Sequence, residues 1–291
     1  MPDVWEDHRV GNSAIKRRRL AATLRRLRED AGRTLDEVSD QMGLAQSTMS
    51  RIETARAGAR PAIVRGLLTL YGVHGDEAEV IVQIAKDATR HGWWYSYRDV
   101  IPDWLQTFVG FEAEASLIQT YEPQLVPDLL QTEEYARAIL GAAWRKLPPA
   151  EVDRRVQARL NRQEILTRRR PPEFHVVLSE AVLRCQVGSP AVFAGQMARL
   201  VEAVDDRKVS IQVLPFAAGP VASERGPYVV LDFPDPEDPP VGYLEHVVGG
   251  LLVEDPAQIQ ECRAAFGHQC AAALSERESR KLISELAQQR G

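Results

Sequence analysis

The segment TLDEVSDQMGLAQSTMSRIE, residues 34–53, constrains this chain more than any other. Thr34 stands three residues before Glu37, so its hydroxyl can cap a helix while the carboxylate returns a bond to the backbone, a capping box. Leu35, Val38 and Met42 then recur at helical spacing, and Gly43 can take the left-handed conformation that ends a helix in a tight turn. A second short helix is predicted over residues 46–54, with Met49 and Ile52 inward. With Leu35 as the first position, Ser39 is the fifth, Gly43 the ninth, Met49 the fifteenth and Ile52 the eighteenth. A small residue at the fifth position lets the two helices approach. The two apolar residues seat the second helix and leave Gln46, Ser47, Ser50 and Arg51 on its outer face.

Flanking periodicity supplies the rest of a small domain. Leu20, Leu24, Leu27 and Ala31 mark an amphipathic helix over residues 13–32; Ile63, Leu67 and Leu70 mark another over 61–71; Val80, Ile84 and Ala88 mark a third over 76–88. Five helices in residues 13–89 make an all-α domain. Charge sets it apart from the C-terminal part of the chain. The net charge of the whole is -5, but residues 1–72 hold 13 Lys+Arg against 9 Asp+Glu, net +4, and the remainder holds 23 against 32, net -9. Counting from Arg9, the same thirteen cations face six anions. Such asymmetry points to an anionic partner for one part only.

The spacing is that of a helix-turn-helix, whose second helix enters the major groove of DNA, where Gln, Ser and Arg can reach base edges. The segment resembles the Cro/cI-type, or Xre, helix-turn-helix family, in which the second helix ends in S-x-I-E or similar, here Ser50-Arg51-Ile52-Glu53. The resemblance implies that Gln46, Ser47 and Arg51 face bases and that Arg56 and Arg60, in the loop after the second helix, touch phosphate. Thr34, Arg17 and Arg18 are further candidate phosphate contacts. The cluster Lys16 to Arg19 has two readings, a solvated face or a phosphate grip beside the groove. Two residues depart from the family pattern: Leu35 replaces a glutamine that often supports a phosphate contact, and Ala45 stands where Ser or Thr would cap the second helix.

Beyond the first domain, residues 92–111 concentrate seven of the nineteen aromatics, Trp93, Trp94, Tyr95, Tyr97, Trp104, Phe108 and Phe111. An aromatic-rich connector is expected at 90–111, covered by an inter- or intradomain core, a dimer seam or a ligand pocket. Thr132 can cap a helix carrying Tyr135, Ile139 and Ala142, and Val152, Val156 and Leu160 mark the next. After Pro172 the period changes to strand-like runs, FHVVLSE, SIQVLPF, YVVLDF, VGYLEHV and GGLLVE, interrupted by a helix that Ser189 and Pro190 open. Asp255-Pro256 opens another helix, and Ser275 with Glu278 forms a capping box for the last. Strands and helices do not alternate strictly, so residues 112–291 are read as an α+β domain with a mostly antiparallel sheet. The whole is multidomain, and the C-terminal part is assigned to effector binding, dimerisation or partner binding.

The motifs GWWYSYRDVIPDWLQTFVGFEAEA, YEPQLVPDLLQTEEYARAIL, VLPF and AALSERES resemble actinobacterial transcriptional regulators in which an Xre domain precedes a domain of unknown function. Where those regulators read VPGLLQT, this chain has Asp128 in place of glycine. The resemblance extends to streptomycete regulators of development and antibiotic production, often encoded beside a small acidic partner and likened to toxin–antitoxin systems. It implies double-stranded operator DNA and a small partner protein as partners, and a homodimer is expected because one small helix-turn-helix domain buries too little DNA surface for tight specific binding; an antitoxin-like interaction module and a ligand-sensing regulator are the alternatives.

Catalysis, a metal and a cofactor are not expected. The histidines, His8, His74, His91, His175, His246 and His268, show no H-E-x-x-H spacing, and no G-x-S-x-G elbow or phosphate loop occurs. Glu245 and His246, adjacent in a predicted strand, point to opposite faces. A hydrolase or nucleoside-processing activity in the C-terminal part is the remaining enzymatic alternative. Cys185, Cys262 and Cys270 fit neither a disulfide framework nor a thiolate metal site and are expected as small core residues. Arg168, Arg169 and Arg170 are read as a solvated helix end. No apolar run approaches the ~18 residues of a membrane span, and the charged residues 1–13 lack the apolar stretch of a secretory signal, so a cytoplasmic location is expected.

Overall fold

The computed structural model describes residues 13–89, 92–143, 146–204, 209–222 and 226–290. The segment 1–12, with His8 and Arg9, and His91 lie outside the described residues. The chain divides into two compact units, Met1–Tyr95 and Ser96–Gly291, so the aromatic stretch read as a connector at 90–111 is shared between them.

Among its described residues the first unit holds five α-helices: α1 (Ser13–Asp30), α2 (Leu35–Met42), α3 (Gln46–Glu53), α4 (Pro61–Leu70) and α5 (Gly75–Ala88). Leu20, Leu24 and Leu27 of α1, Val38 of α2 and Met49 and Ile52 of α3 share one core with Val64, Leu67 and Leu68 of α4 and Ile81, Val82 and Ala85 of α5. Thr34 closes the expected capping box: the Glu37 N–H donates to its hydroxyl at 3.2 Å, and its own N–H donates to the Glu37 carboxylate at 2.9 Å. Gly43 is left-handed, φ 63° and ψ 33°. Some inward positions differ from the expected ones. Ala31 is exposed, because α1 ends one residue earlier. Val80 is 61% exposed. In VIVQIA two apolar frames compete, and the one through Ile81, Val82 and Ala85 reaches the core. Ile63 and Leu70 flank the buried stripe of α4 rather than centre it.

The second unit runs α6 (Asp103–Glu112), β1 (Leu117–Glu122), α7 (Glu133–Ala142), α8 (Pro149–Gln163), β2 (Glu173–Ser179), α9 (Glu180–Arg184), α10 (Pro190–Val204), β3 (Val209–Leu214), β4 (Tyr228–Asp232), β5 (Val241–His246), β6 (Gly249–Val253), α11 (Pro256–Ala272) and α12 (Glu276–Arg290). The sheet order is β3-β2-β1-β4-β5-β6. The α+β reading holds, with a mixed sheet. The pairings β1–β4, β4–β5 and β5–β6 are antiparallel, whereas β1–β2 and β2–β3 are parallel. The parallel pairs require crossovers, which α7–α8 and α9–α10 supply. The strand β1, near the middle of the sheet, is absent from the sequence reading; LIQTYE is short and comes after a helical aromatic run without a Gly or Pro boundary.

On one face of the sheet α11 lays Ile259 and Phe266 against Tyr121, Val177, Tyr228, Val230 and Val253. On the other, Phe108 of α6 stacks on Tyr243 at 4.1 Å and Trp104 stacks on it at 6.4 Å, while Phe111 meets Phe233 at 5.9 Å. Phe108 and Phe111 are therefore core residues of this unit, the intradomain option among those open. Arg168 is not solvated as expected. Its guanidinium donates to the Ala115 carbonyl at 2.9 Å and to that of Ala113, just past α6, so it caps that helix. Arg169 and Arg170 are exposed. Cys185 is exposed, against expectation, and Cys262 and Cys270 pack at the edge of the α11 layer. Among the described residues no helix is long and apolar enough to cross a membrane.

Candidate nucleic-acid interface

The orientation of α3 is set from beneath and from its end. Met49 is fully buried and Ile52 nearly so, which fixes the rotation of the helix about its axis. Ser39 is buried where α2 approaches α3, and its hydroxyl turns back to the Leu35 carbonyl at 2.7 Å, so the small side chain allows the approach without leaving a polar group unsatisfied. At the end of α3 the Glu53 carboxylate is buried and clasped by Arg28 of α1. Nε donates to Oε1 at 2.8 Å and Nη2 to Oε2 at 3.0 Å, while Nη1 donates to the Arg33 carbonyl at 2.8 Å. The bonds to Glu53 hold the Arg28 pKa above its ordinary value. The sequence places Glu53 only as the end of the S-x-I-E motif and does not point to Arg28. Arg28 sits directly after Leu27 and four residues after Leu24, on the buried stripe of α1, which is the signal that could have found it.

With those groups turned inward, Gln46, Ser47, Ser50 and Arg51 are all exposed on α3. Their side chains form no hydrogen bond or ion pair among the described residues, so their donors and acceptors are available to an outside partner. Ala45 provides no side-chain cap, as its identity implies, and leaves the first N–H groups of α3 to solvent. After α3 the chain turns through Ala55, a non-glycine residue at φ 56°, and is pinned by buried Ala59. Arg56 and Arg60 project from this loop, exposed and without ion pairs among the described residues.

The cations of α1 divide by role. Lys16 is committed to Asp87 of α5 at 2.6 Å. Arg25 and Arg26 pair along the helix with Glu29 and Asp30. Arg17 is half-buried, its Nε is shielded and without a hydrogen-bond partner, and desolvation lowers its pKa. It lies against Gly58, whose added Cβ would stand 3.8 Å from Nε, so its stem borders the loop that carries Arg56. Arg18 is also half-buried. Thr34 is exposed, and its hydroxyl accepts within the capping box, which leaves the hydroxyl proton for an external acceptor.

Among the described residues, His74 of the first unit and His175, His246 and His268 of the second join no group of three or more His, Cys, Asp or Glu able to hold a metal. Glu245 and His246 both lie on β5, facing Gly250 and Gly249 of β6 in turn.

Comparison with known families matches residues 19–81 to a model described as a helix-turn-helix domain and residues 105–285 to one described as a domain of unknown function, DUF5753. No curated protein and no solved structure matches the chain.

Proposed function

Because the chain belongs to the DUF5753 family and carries a helix-turn-helix domain ahead of that domain, we propose that it regulates transcription by reading operator DNA with α3. The observation that carries this reading is the division of α3 into a buried side, Met49, Ile52 and Glu53, and an exposed side of unpartnered Gln46, Ser47, Ser50 and Arg51. In a major groove, Gln46 suits adenine and Arg51 suits guanine, each through paired hydrogen bonds. Arg56, Arg60, Arg17, Arg18 and Thr34 supply the contacts to phosphate that fix register without reading sequence.

One such domain covers too little DNA for tight specific binding, so the protein acts as a homodimer on two half-sites about one helical turn, ~34–36 Å, apart. The seam lies after Gly92. A protein contact through the second unit is supported by the apolar tip of the β5–β6 hairpin, where Val247 and Val248 are 96% and 88% exposed. The same tip favours a second reading, in which the second unit seats a small partner protein and the chain acts as an antitoxin-like module. Neither reading assigns a reaction or a cofactor to the chain.

Selection from a random duplex pool by the purified full-length protein, followed by sequencing, tests the reading. Enrichment of an inverted repeat supports the dimeric regulator. A single half-site removes the dimer, and a pool that stays random removes sequence-specific DNA binding.

A further inference from the structure

The sheet of the second unit ends in two unlike edges, β3 and β6. The chain closes the first edge itself. The Val213 N–H donates to the Ser279 hydroxyl at 2.8 Å, the Leu274 N–H donates to the Val213 carbonyl at 2.8 Å, and the Ser210 hydroxyl donates to the Glu276 carboxylate at 2.6 Å, so α12 and the turn before it lie along β3. The second edge is different. β6 pairs with β5 from Gly242 opposite Val253 to His246 opposite Gly249, and among the described residues no backbone hydrogen bond reaches its other side. Alternate residues of an antiparallel strand turn their N–H and C=O away from the neighbour they pair with, so β6 presents a row of donors and acceptors to a further strand.

Proteins that keep such an edge free blunt it with charge, proline or a bulge. Gly249-Gly250-Leu251-Leu252-Val253 carries neither charge nor proline, and its register with β5 runs without a bulge. Side chains mark the same edge. Cross-strand partners share a face, so Leu251, opposite Leu244, lies on the face that α11 covers, where Val253 and Ile259 share a core. Yet Leu251 is 55% exposed, because that cover stops short of it. On the other face Trp104 stands over Gly250, where an added Cβ would come within 2.8 Å of its ring, so that side is already roofed. The apolar surface left open is Leu251 together with Val247 and Val248 at the turn of the hairpin.

We propose that this edge is the seam of the homodimer: β6 of one copy pairs antiparallel with β6 of a second, about a twofold axis through Leu251, and the two sheets run on as one. The proposal rests on the homodimeric reading given above and says where its seam lies.

The order of residues along the strand selects a second copy as the occupant. Acid stands at one end, Glu254 and Asp255, both exposed, and apolar side chains stand at the other, Val247 and Val248. Antiparallel pairing centred on Leu251 sets Gly249 opposite Val253, Val248 opposite Glu254 and Val247 opposite Asp255, so no like charges meet. Parallel pairing would set each acid against itself. Leu251 meets its own counterpart, and each covers the exposed half of the other. A twofold perpendicular to the sheet also keeps α11 of both copies on one side, so the covered and the open faces of the two edges match.

Sedimentation velocity of the full-length protein reads the assembly, and disulfide trapping reads the seam. The parent is expected as a dimer at micromolar concentration. Leu251→Lys, which puts two like charges on the twofold, and Val247→Asp with Val248→Asp, which sets acid against Glu254 and Asp255, should each raise the dimer dissociation constant by at least about tenfold. All three positions are exposed, and far-UV circular dichroism checks that the variants keep the fold. Leu251→Cys in a Cys185→Ser background should form a covalent dimer on mild oxidation, since directly opposed Cα atoms lie about 4.5–5.5 Å apart, within reach of a disulfide. Phe216→Cys in the same background, at an equally exposed position of the same unit, should not. A dimer that neither the lysine nor the aspartate variant weakens, or a Leu251→Cys protein that links no faster than Phe216→Cys, overturns this seam and leaves the homodimer standing. A monomeric parent overturns the seam and the homodimer together and leaves the edge to a strand of another protein.

Discussion

Arg28 and Glu53 join the first helix to the last residue of α3 by paired hydrogen bonds of 2.8 and 3.0 Å in a site closed to solvent. The pair holds the tilt of the helix that presents the reading face. Removing one partner leaves a buried charge uncompensated, so Glu53→Gln should lower unfolding free energy by about 3–5 kcal/mol. Arg28→Met combined with Glu53→Leu should recover much of that loss, since an apolar pair carries no desolvation cost. Urea denaturation of the three proteins checks this, with a double variant less stable than Glu53→Gln as the contrary result.

The turn between α2 and α3 makes a smaller demand. Gly43→Ala meets no atom within 4 Å, so its cost is that of placing a side chain at φ 63°, about 1–2 kcal/mol. Thr34→Ala should cost about 1 kcal/mol through the lost cap. These residues are not in contact, and the double variant should show additive losses in thermal or urea melts.

Locality decides how much of the fold is legible in the sequence. Thr34 with Glu37, Gly43, Met49 and Ile52 lie within one helix–turn–helix, and nearest-neighbour rules place them. So do Asp255-Pro256 and the Ser275–Glu278 box, both present in the structure. Val80 stands outside the core because consecutive apolar residues offer two helical frames, and only the surrounding core chooses between them. The strand β1 is not legible locally because its place is secured by partners more than fifty residues away in β2 and more than a hundred away in β4. The bonds of buried Arg162 on α8 to Glu112 and Asp128 are beyond sequence reading for the same reason. The three residues belong to separate elements, and Asp128, visible only as a departure from a motif, turns out to bind two arginines, Arg159 and Arg162.

Stability should depend on pH through Glu122. Its pKa is about 8 in the folded chain against an ordinary 4.5, so the folded state holds the proton more tightly. The contribution is therefore present in full below about pH 4.5 and is lost as pH rises through about 8. Glu122→Gln should be more stable than the parent at pH 8 and equal to it near pH 4, as read by thermal melts across that range. An advantage that grows toward acid would reverse the assigned sign.

Assembly is tested by sedimentation. The first unit has its own core, so a fragment ending at Ala88 should fold, remain monomeric and bind a single half-site weakly. The full-length chain at micromolar concentration should be a dimer. A monomeric full-length protein, or a dimeric fragment that binds the full operator undiminished, contradicts the placement of the seam after Gly92.

Base reading by α3 is tested most directly by titrating the selected operator, and its single-base variants, with Arg51→Ala and Arg56→Ala over a range of salt concentrations. Arg51→Ala should weaken operator binding by about 1–3 kcal/mol and relax preference at one base pair per half-site. Arg56→Ala should weaken all sequences alike and reduce the salt slope by about one. If Arg51→Ala leaves both affinity and base preference as they are in the parent protein, α3 is not the recognition helix.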